Sequence, residues 1–217
     1  FFECMVETSN EKAYYQLKEI FNTNKDANIY LYLERMALAL NKLDEALDFS
    51  AKVEMTNDKK VLASEFIVRY QINKANNNPN SMEKFFIYAD YNPDFIKQSE
   101  INPSIIDFYH DYYLYLISKG QEKKANEMLE KLYLKQKDYK AFVYSPFVET
   151  ELAKIAKDNN NKQKALDLLL SGLSNARKMA PNDEVKIYYD VLILYDNLGN
   201  KNKKTEYLNK CKAVENT

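Results

Sequence analysis

Between Phe147 and Gly199 apolar residues return every three or four positions, and short polar clusters interrupt them. The stretch reads Phe-Val-Glu-Thr-Glu-Leu-Ala-Lys-Ile-Ala-Lys, an Asn-rich turn, then Lys-Ala-Leu-Asp-Leu-Leu-Leu-Ser-Gly-Leu. Ala-Pro-Asn-Asp and a further apolar-periodic run follow. Positions with this spacing share one face of a helix. The pattern therefore predicts two antiparallel amphipathic helices across a short polar turn, a Pro that ends the pair, and the start of another pair.

The same rhythm extends along the chain. Phe1–Glu7 reads as the end of a helix, Ser9-Asn10 as a turn and cap, and Glu11–Phe21 as a helix with Ala13, Leu17, Ile20 and Phe21 on one stripe. A start in mid-helix suggests the C-terminal part of a longer chain. Ala27–Leu40 and Leu43–Val53 form a predicted pair across Asn41-Lys42, and Asn57-Asp58 caps a helix from Lys59 to about Asn73. Asn76-Asn77-Asn78-Pro79-Asn80 is the clearest break, and a short helix over Ser81–Asp90 follows it. Tyr91–Pro103 carries two Asn-Pro dipeptides, and a residue before Pro avoids helical angles, so irregular chain is expected there with one turn at Asp94–Gln98. Ser104–Lys119 and Gln121–Gln136 pair around Gly120, and Pro146–Asp158, Lys162–Met179, Asp183–Leu198 and Asn202–Val214 complete the series. No stretch alternates strictly enough for a strand. Three regions result: residues 1–75 with N-terminal repeats, 76–103 as an irregular hinge or degenerate repeat, and 104–217 with C-terminal repeats.

Small alanines early in the second helices mark a period. Ala13 and Ala46 stand about 33 residues apart and Ala125 and Ala165 about 40. About sixteen residues before the alanine the first helix carries Tyr30, Tyr109 or Tyr188, with Glu149 in that place in the fourth unit. Leu152, Ala153, Ala156, Ala165, Leu169, Gly172 and Pro181, with Asn41-Lys42-Leu43-Asp44-Glu45-Ala46-Leu47, resemble the tetratricopeptide repeat family. The chain departs from the family pattern where Glu34, Tyr113 and Leu192 replace its small residue, where Tyr replaces its Trp, and where the spacing exceeds the usual ~34 residues. The resemblance implies an all-α fold of about 12 helices, with antiparallel pairs stacked as a right-handed TPR-like α-solenoid. Each pair would cover its apolar face with the next, and Leu168, Leu169, Leu173, Ile187, Leu192 and Ile193 would contribute about 1.5–3 kcal/mol each on burial.

Composition narrows the function. Only 3 Gly and 5 Pro in 217 residues leave little for hairpins or phosphate-cradling loops. The 18 Tyr, with many Asn and Lys, read as codon bias of an AT-rich genome. A net charge of −1 gives no basic excess for non-specific nucleic-acid binding, and no apolar run reaches the roughly 18 residues of a membrane span. Cys4 and Cys211 lie at opposite ends of the sequence, so two free thiols are expected.

Candidate chemistry is sparse. His110 is the single histidine, flanked by Tyr109 and Asp111 with Asp107 one turn before it. A general-base role would need a nucleophile or an oxyanion-binding loop nearby, and the sequence supplies neither. One histidine with two distant cysteines makes no zinc site, so neither metal nor cofactor is expected. Asp44-Glu45 and Asp183-Glu184 sit at helix starts, where carboxylates complement the dipole. The lysine clusters at 201–204 and 135–140 read as solvated helix ends.

In the family resembled, first helices line the concave face. That places Asn28, Leu31 and Arg35, then Asp107, His110 and Leu114, then Thr150, Lys154 and Lys157, then Lys186, Tyr189 and Ile193 along it. The family's carboxylate clamp, a Lys with an Asn four residues later in one first helix, is absent. The expected function is a non-catalytic protein–protein interaction scaffold whose groove, centred on Asn28, Arg35, His110, Lys154, Lys157, Lys186 and Tyr189, binds a peptide or partner subunit. A peptide-sensing regulatory domain that flexes at its joints is the alternative, and an all-helical enzyme using His110 ranks last. Envelope assemblies of a bacterial cell, such as secretion or motility apparatus, are compatible hosts, though no residue selects them. Hydrogen exchange is expected to be fastest over Asn76–Asn80 and Tyr91–Pro103 and slowest over Ala165–Leu173; the reverse order would defeat the stacked-pair assignment.

Overall fold

A computed structural model describes residues 11–21, 26–175 and 181–215. The predicted helix end at Phe1–Glu7, the Ser9-Asn10 cap, Cys4 and the extension of the Lys162 helix to Met179 lie outside the described residues. Every regular element among those described is a helix. These are α1 (Glu11–Phe21), α2 (Ala27–Ala39), α3 (Leu43–Val53), α4 (Lys59–Ala75), α5 (Pro79–Tyr91), α6 (Pro93–Ser99), α7 (Ile105–Ser118), α8 (Glu122–Tyr139), α9 (Phe147–Asp158), α10 (Lys162–Asn175), α11 (Pro181–Asn197) and α12 (Lys201–Glu215).

One turn recurs between the helices of each pair. Asn41, Asn77, Gly120, Asn160 and Gly199 all adopt positive φ, between 50° and 73°, and follow one another at intervals of about 40 residues. A left-handed residue just past a helix lets two backbone N–H groups turn back onto the last orphan carbonyls. Asn41 N donates to Leu38 O at 2.9 Å and Lys42 N to Ala37 O at 2.8 Å; Asn160 N donates to Lys157 O at 2.9 Å and Asn161 N to Ala156 O at 2.8 Å. Gly120–Gln121 and Gly199–Asn200 repeat both bonds. The next helix is then capped from the same turn: the Asn78 side chain accepts from Ser81 N, Asn161 from Lys164 N and Asn200 from Lys203 N, each at 3.1 Å. Asparagine tolerates the left-handed region and caps N-termini, which gives the Asn-rich composition a structural use.

The chain divides into two compact units, residues 1–108 and 109–217, with the division inside α7. In the first unit α2 packs on α3 and on α4, α3 on α4, and α4 on both α5 and α6. Its core gathers Tyr14, Leu31, Leu33, Met36, Phe49, Val53, Val68 and Ile72 around Ala13, Ala37 and Ala46. A second cluster surrounds Tyr70 and Phe108, whose rings meet edge to face at 5.0 Å with Phe86 against both. In the second unit α8 through α12 pack each against its sequence neighbour. The four alanines read as close-approach points, Ala13, Ala46, Ala125 and Ala165, are all buried.

Three expectations change. Tyr91–Pro103 is more regular than expected, because Pro93 starts the helix α6 rather than breaking one, and the turns are confined to residues 100–104. Pro79 does the same for α5, since the missing N–H costs nothing in a first turn. Asn76–Asn78 makes the same reversal as the other pair turns, so it is a tight turn. Ile193 is exposed rather than buried, on the opposite side of α11 from Val191 and Leu194.

Gly172 shows how closely the second-unit helices pack. A Cβ there would stand 3.0 Å from the Pro146 Cβ and 3.1 Å from the Glu149 Cβ, atoms held by backbone rather than by flexible side-chain ends. Gly172→Ala should therefore lose its ~1 kcal/mol helix-propensity gain to overpacking of about 1–3 kcal/mol. Thermal or urea unfolding should show net destabilisation, larger for Gly172→Leu; a stabilised Gly172→Leu would refute the close approach.

Candidate functional site

The first-helix register places Asn28, Leu31 and Arg35 on one stripe of α2, because residues three and four apart share a face. Asp26 fixes the start of that helix by accepting from Asn28 N at 2.9 Å. The start of α4 comes alongside, capped by Asp58, which accepts from Lys60 N at 2.9 Å and Val61 N at 3.3 Å. Together with Ser64 and the segment Ile101–Pro103 these residues enclose a cavity of about 490 Å³. Asn102 is buried and closes the far side, its amide donating to Ser64 O at 3.5 Å while its Oδ1 accepts from Ser104 N at 3.0 Å. The cavity offers an apolar strip (Leu31, Val61, Ile101) between charged groups of both signs (Arg35, Lys60, Asp58). The hydroxyl-bearing Tyr32 and Ser64 complete the polar part of the lining. Asn28 and Arg35 are thus brought together, and the contribution of Ile101–Pro103 was not visible in the sequence, because it depends on a tertiary contact spanning 38 residues.

The remaining predicted positions belong to the second unit. His110 lies flat on Tyr144, ring centroids 3.8 Å apart and planes 7° apart, with Phe147 edge-on at 5.7 Å. Its Nδ1 is 2.9 Å from Asp111 Oδ1. The ring is therefore sandwiched into the joint between α7 and the segment before α9, a packing role. Lys157 reaches from α9 to Asp190 on α11 at 3.0 Å, so it ties neighbouring pairs together. Lys154 and Lys186 pair with carboxylates on their own helices, Glu151 at 2.5 Å and Asp183 at 3.3 Å, on the exposed side. Exposed i,i+3 pairs of this kind contribute at most ~0.5 kcal/mol, which leaves both lysines exchangeable with a partner's carboxylate. Tyr189 is 58% exposed, and Leu114 is also exposed.

Two buried carboxyl groups stand out beside these surfaces. Glu34 on α2 and Glu149 on α9 are each fully buried, and neither carboxyl has a hydrogen-bond partner among the described residues. Burial pushes the Glu34 carboxyl up to about 9, the nearby Glu65 charge adds to the rise, and the Arg69 guanidinium opposes it. Glu65 is raised as well by burial, although it accepts from Ser50 Oγ at 2.6 Å and from Arg69 at 2.6–2.7 Å. Glu34 fills the place where the resembled family keeps a small residue, and there it is neutral at pH 7.

Among the described residues no group of three or more His, Cys, Asp or Glu side chains is arranged to hold a metal ion, and no helix is long and apolar enough to cross a membrane. Cys211 is buried.

No protein-family model and no curated protein sequence matches the chain. Solved structures do. BtubC (BKLC) from P. vanneervenii superposes with a TM-score of 0.51 at 9% identity, over 99% of this chain and 91% of that one. Cut9 in the APC/C hetero-tetramer Cut9–Hcn1 gives 0.45 at 16% identity, over 98% of this chain and 38% of that one. A kinesin light chain of Podosopora anserina with nearly identical TPR-like repeats gives 0.43 at 15%, over 86% and 93%. These are likenesses of fold. The protein is an all-α helical-repeat protein with a TPR-like fold, built from antiparallel pairs whose internal turns recur about every 40 residues.

The Glu34 carboxyl gives this fold a pH signature. The folded chain keeps its proton up to about pH 9, whereas the unfolded chain releases it near 4.5. The folded state therefore binds more protons between these limits, and stability falls as pH rises through them. Glu34→Gln should flatten that slope and stabilise the protein by on the order of 2–4 kcal/mol at pH 8, with little change at pH 4.5. Urea midpoints at the two pH values read this directly; an unchanged slope would show that Glu34 is ionised in the folded state.

Proposed function

We propose that this protein is a non-catalytic scaffold that binds a peptide or a partner subunit through the face lined by its first helices. The observation that carries the proposal is the cavity of about 490 Å³ at Asn28, Leu31 and Arg35, which mixes an apolar strip with opposite charges. Interfaces that recognise protein segments combine a desolvated apolar centre with a polar rim. The TPR-like fold supports the same reading, because stacked helix pairs present extended surfaces and carry no inherent reaction. His110 is engaged by Tyr144 on its face, Phe147 at its edge and Asp111 at its Nδ1, which supports a packing role for it. In the second unit, taken by itself, the first-helix positions Lys154, Lys186 and Tyr189 are exposed, while Lys157 pairs with Asp190 and His110 stacks on Tyr144.

Arg35→Glu, combined with Lys154→Glu and Lys186→Glu, should leave the helical circular-dichroism signal intact. It should also cut recovery of the native partner in pull-downs from the source cell by about tenfold or more, the loss expected of a charge placed against its like. Equal recovery by the folded variant would exclude this face.

A further inference from the structure

The first unit contains a second cavity, of about 400 Å³, on a different side of α4 from the groove. Val61 and Ser64 line the groove cavity, while Leu62, Glu65, Phe66 and Arg69 line this one, about a third of a helical turn around the same helix. Its apolar wall is Leu62 with the rings of Phe66, Phe85, Tyr88 and Phe95. Phe66 meets Phe85 edge-on at 5.1 Å and Phe95 edge-on at 5.7 Å, and Tyr88 meets Phe95 edge-on at 5.6 Å. Rings that interlock in this way hold each other in place, so the wall is formed before anything binds. Tyr88 is nonetheless 41% exposed, which leaves its ring open to a newcomer.

The lining carries two carboxylates, Glu54 and Glu65, and two cations, Arg69 and Lys84, and three of these four groups are joined to one another. Arg69 donates from Nε and Nη2 to Glu65 Oε1 at 2.7 and 2.6 Å, and its Nη1 pairs with Glu54 at the end of α3. Those three groups satisfy one another. Lys84 on α5 has no ion-pair or hydrogen-bond partner among the described residues. Lys84 is thus the lining charge not engaged by another lining group, and it stands beside rings that offer an apolar surface.

We propose that this cavity receives an apolar side chain, of phenylalanine or leucine size, from a partner protein segment in which an Asp or Glu stands next to it. The ring or aliphatic group lies against Phe66, Phe85, Tyr88 and Phe95, and the neighbouring carboxylate meets the Lys84 ammonium. Aromatic and aliphatic anchors in preformed pockets carry most of the energy of such contacts, while the exposed ion pair selects among segments. The inference rests on the reading of the protein as a binder of protein segments, but it uses a surface separate from the groove.

Three blocked tripeptides test it against the full chain by amide chemical shifts: acetyl-Glu-Phe-Glu-amide, acetyl-Lys-Phe-Lys-amide and acetyl-Glu-Ala-Glu-amide. The first should give saturable shifts at the lining residues of α4, α5 and α6, and bind about three- to fivefold more tightly than the second. The alanine peptide should give no saturable shift there. Lys84→Glu, an exposed substitution that leaves the fold intact, should invert the order of the two phenylalanine peptides, and Tyr88→Ala should weaken both. An order unchanged by Lys84→Glu, shifts confined to Asn28, Leu31 and Arg35, or concentration-dependent shifts without peptide that mark a second copy at the site would each overturn the proposal. Arg35→Glu separates the two readings. It should leave these shifts unaltered, and loss of partner capture in that variant without any tripeptide binding at Lys84 would keep the groove and reject the second cavity.

Discussion

The structure depends on a chain reversal that must be completed within three residues. A helix of two or more turns ends with four carbonyls lacking partners, and the next helix must begin close enough to pack on it. One residue at positive φ solves both problems, and among the five turns described asparagine supplies it at three and glycine at two. At three of these turns the asparagine that directly follows then caps the incoming helix. A left-handed asparagine costs more than a left-handed glycine in the folded state but loses less freedom on folding. The repeat is therefore held by backbone chemistry at its turns, while the apolar faces decide which pairs lie against each other.

That division explains what was legible in the sequence. Apolar periodicity marked α1, α3 and α9 to within a residue of their ends, and the buried alanines marked where helices meet. Glycine announces a reversal, so Gly120 and Gly199 were readable as turns. Asparagine announces one less surely, because the same residue caps helices, fills loops and visits the left-handed region; Asn41 read as a turn, whereas Asn77 read as part of a loose break. Proline was misread for a related reason. It excludes the helical region from the residue before it, yet it is an ordinary first residue of a helix, and at Pro79 and Pro93 the second property prevails.

The candidate site was legible only in part. Helical register alone brought Asn28, Leu31 and Arg35 to one stripe, since that requires nothing beyond 3.6 residues per turn. The groups that complete the cavity come from elsewhere in the chain, and so do the partners of the predicted lysines. Lys157 meets Asp190 across 33 residues of sequence, which turns an expected contact residue into a brace. His110 looked like the one residue with chemistry to offer. A flat stack on Tyr144 with Phe147 at its edge accounts for it as packing.

The buried polar groups of the first unit follow from how α4 is shared. It forms one wall of the groove cavity and one wall of the aromatic cavity, and it packs on α2, α3, α5 and α6 besides. A helix with so many neighbours has no face left that is wholly solvated, so its charged residues must be satisfied internally. Arg69 does this for Glu65 and Glu54, and Ser50 supplies Glu65 with one more donor. Glu34, facing the same cluster from α2, finds the Arg69 guanidinium already engaged, and the cheapest remaining course is to keep its proton. The cost of that neutral carboxyl falls on the fold rather than on any reaction. The same clamp holds Arg69 at the edge of the aromatic wall, in the lining it shares with Lys84.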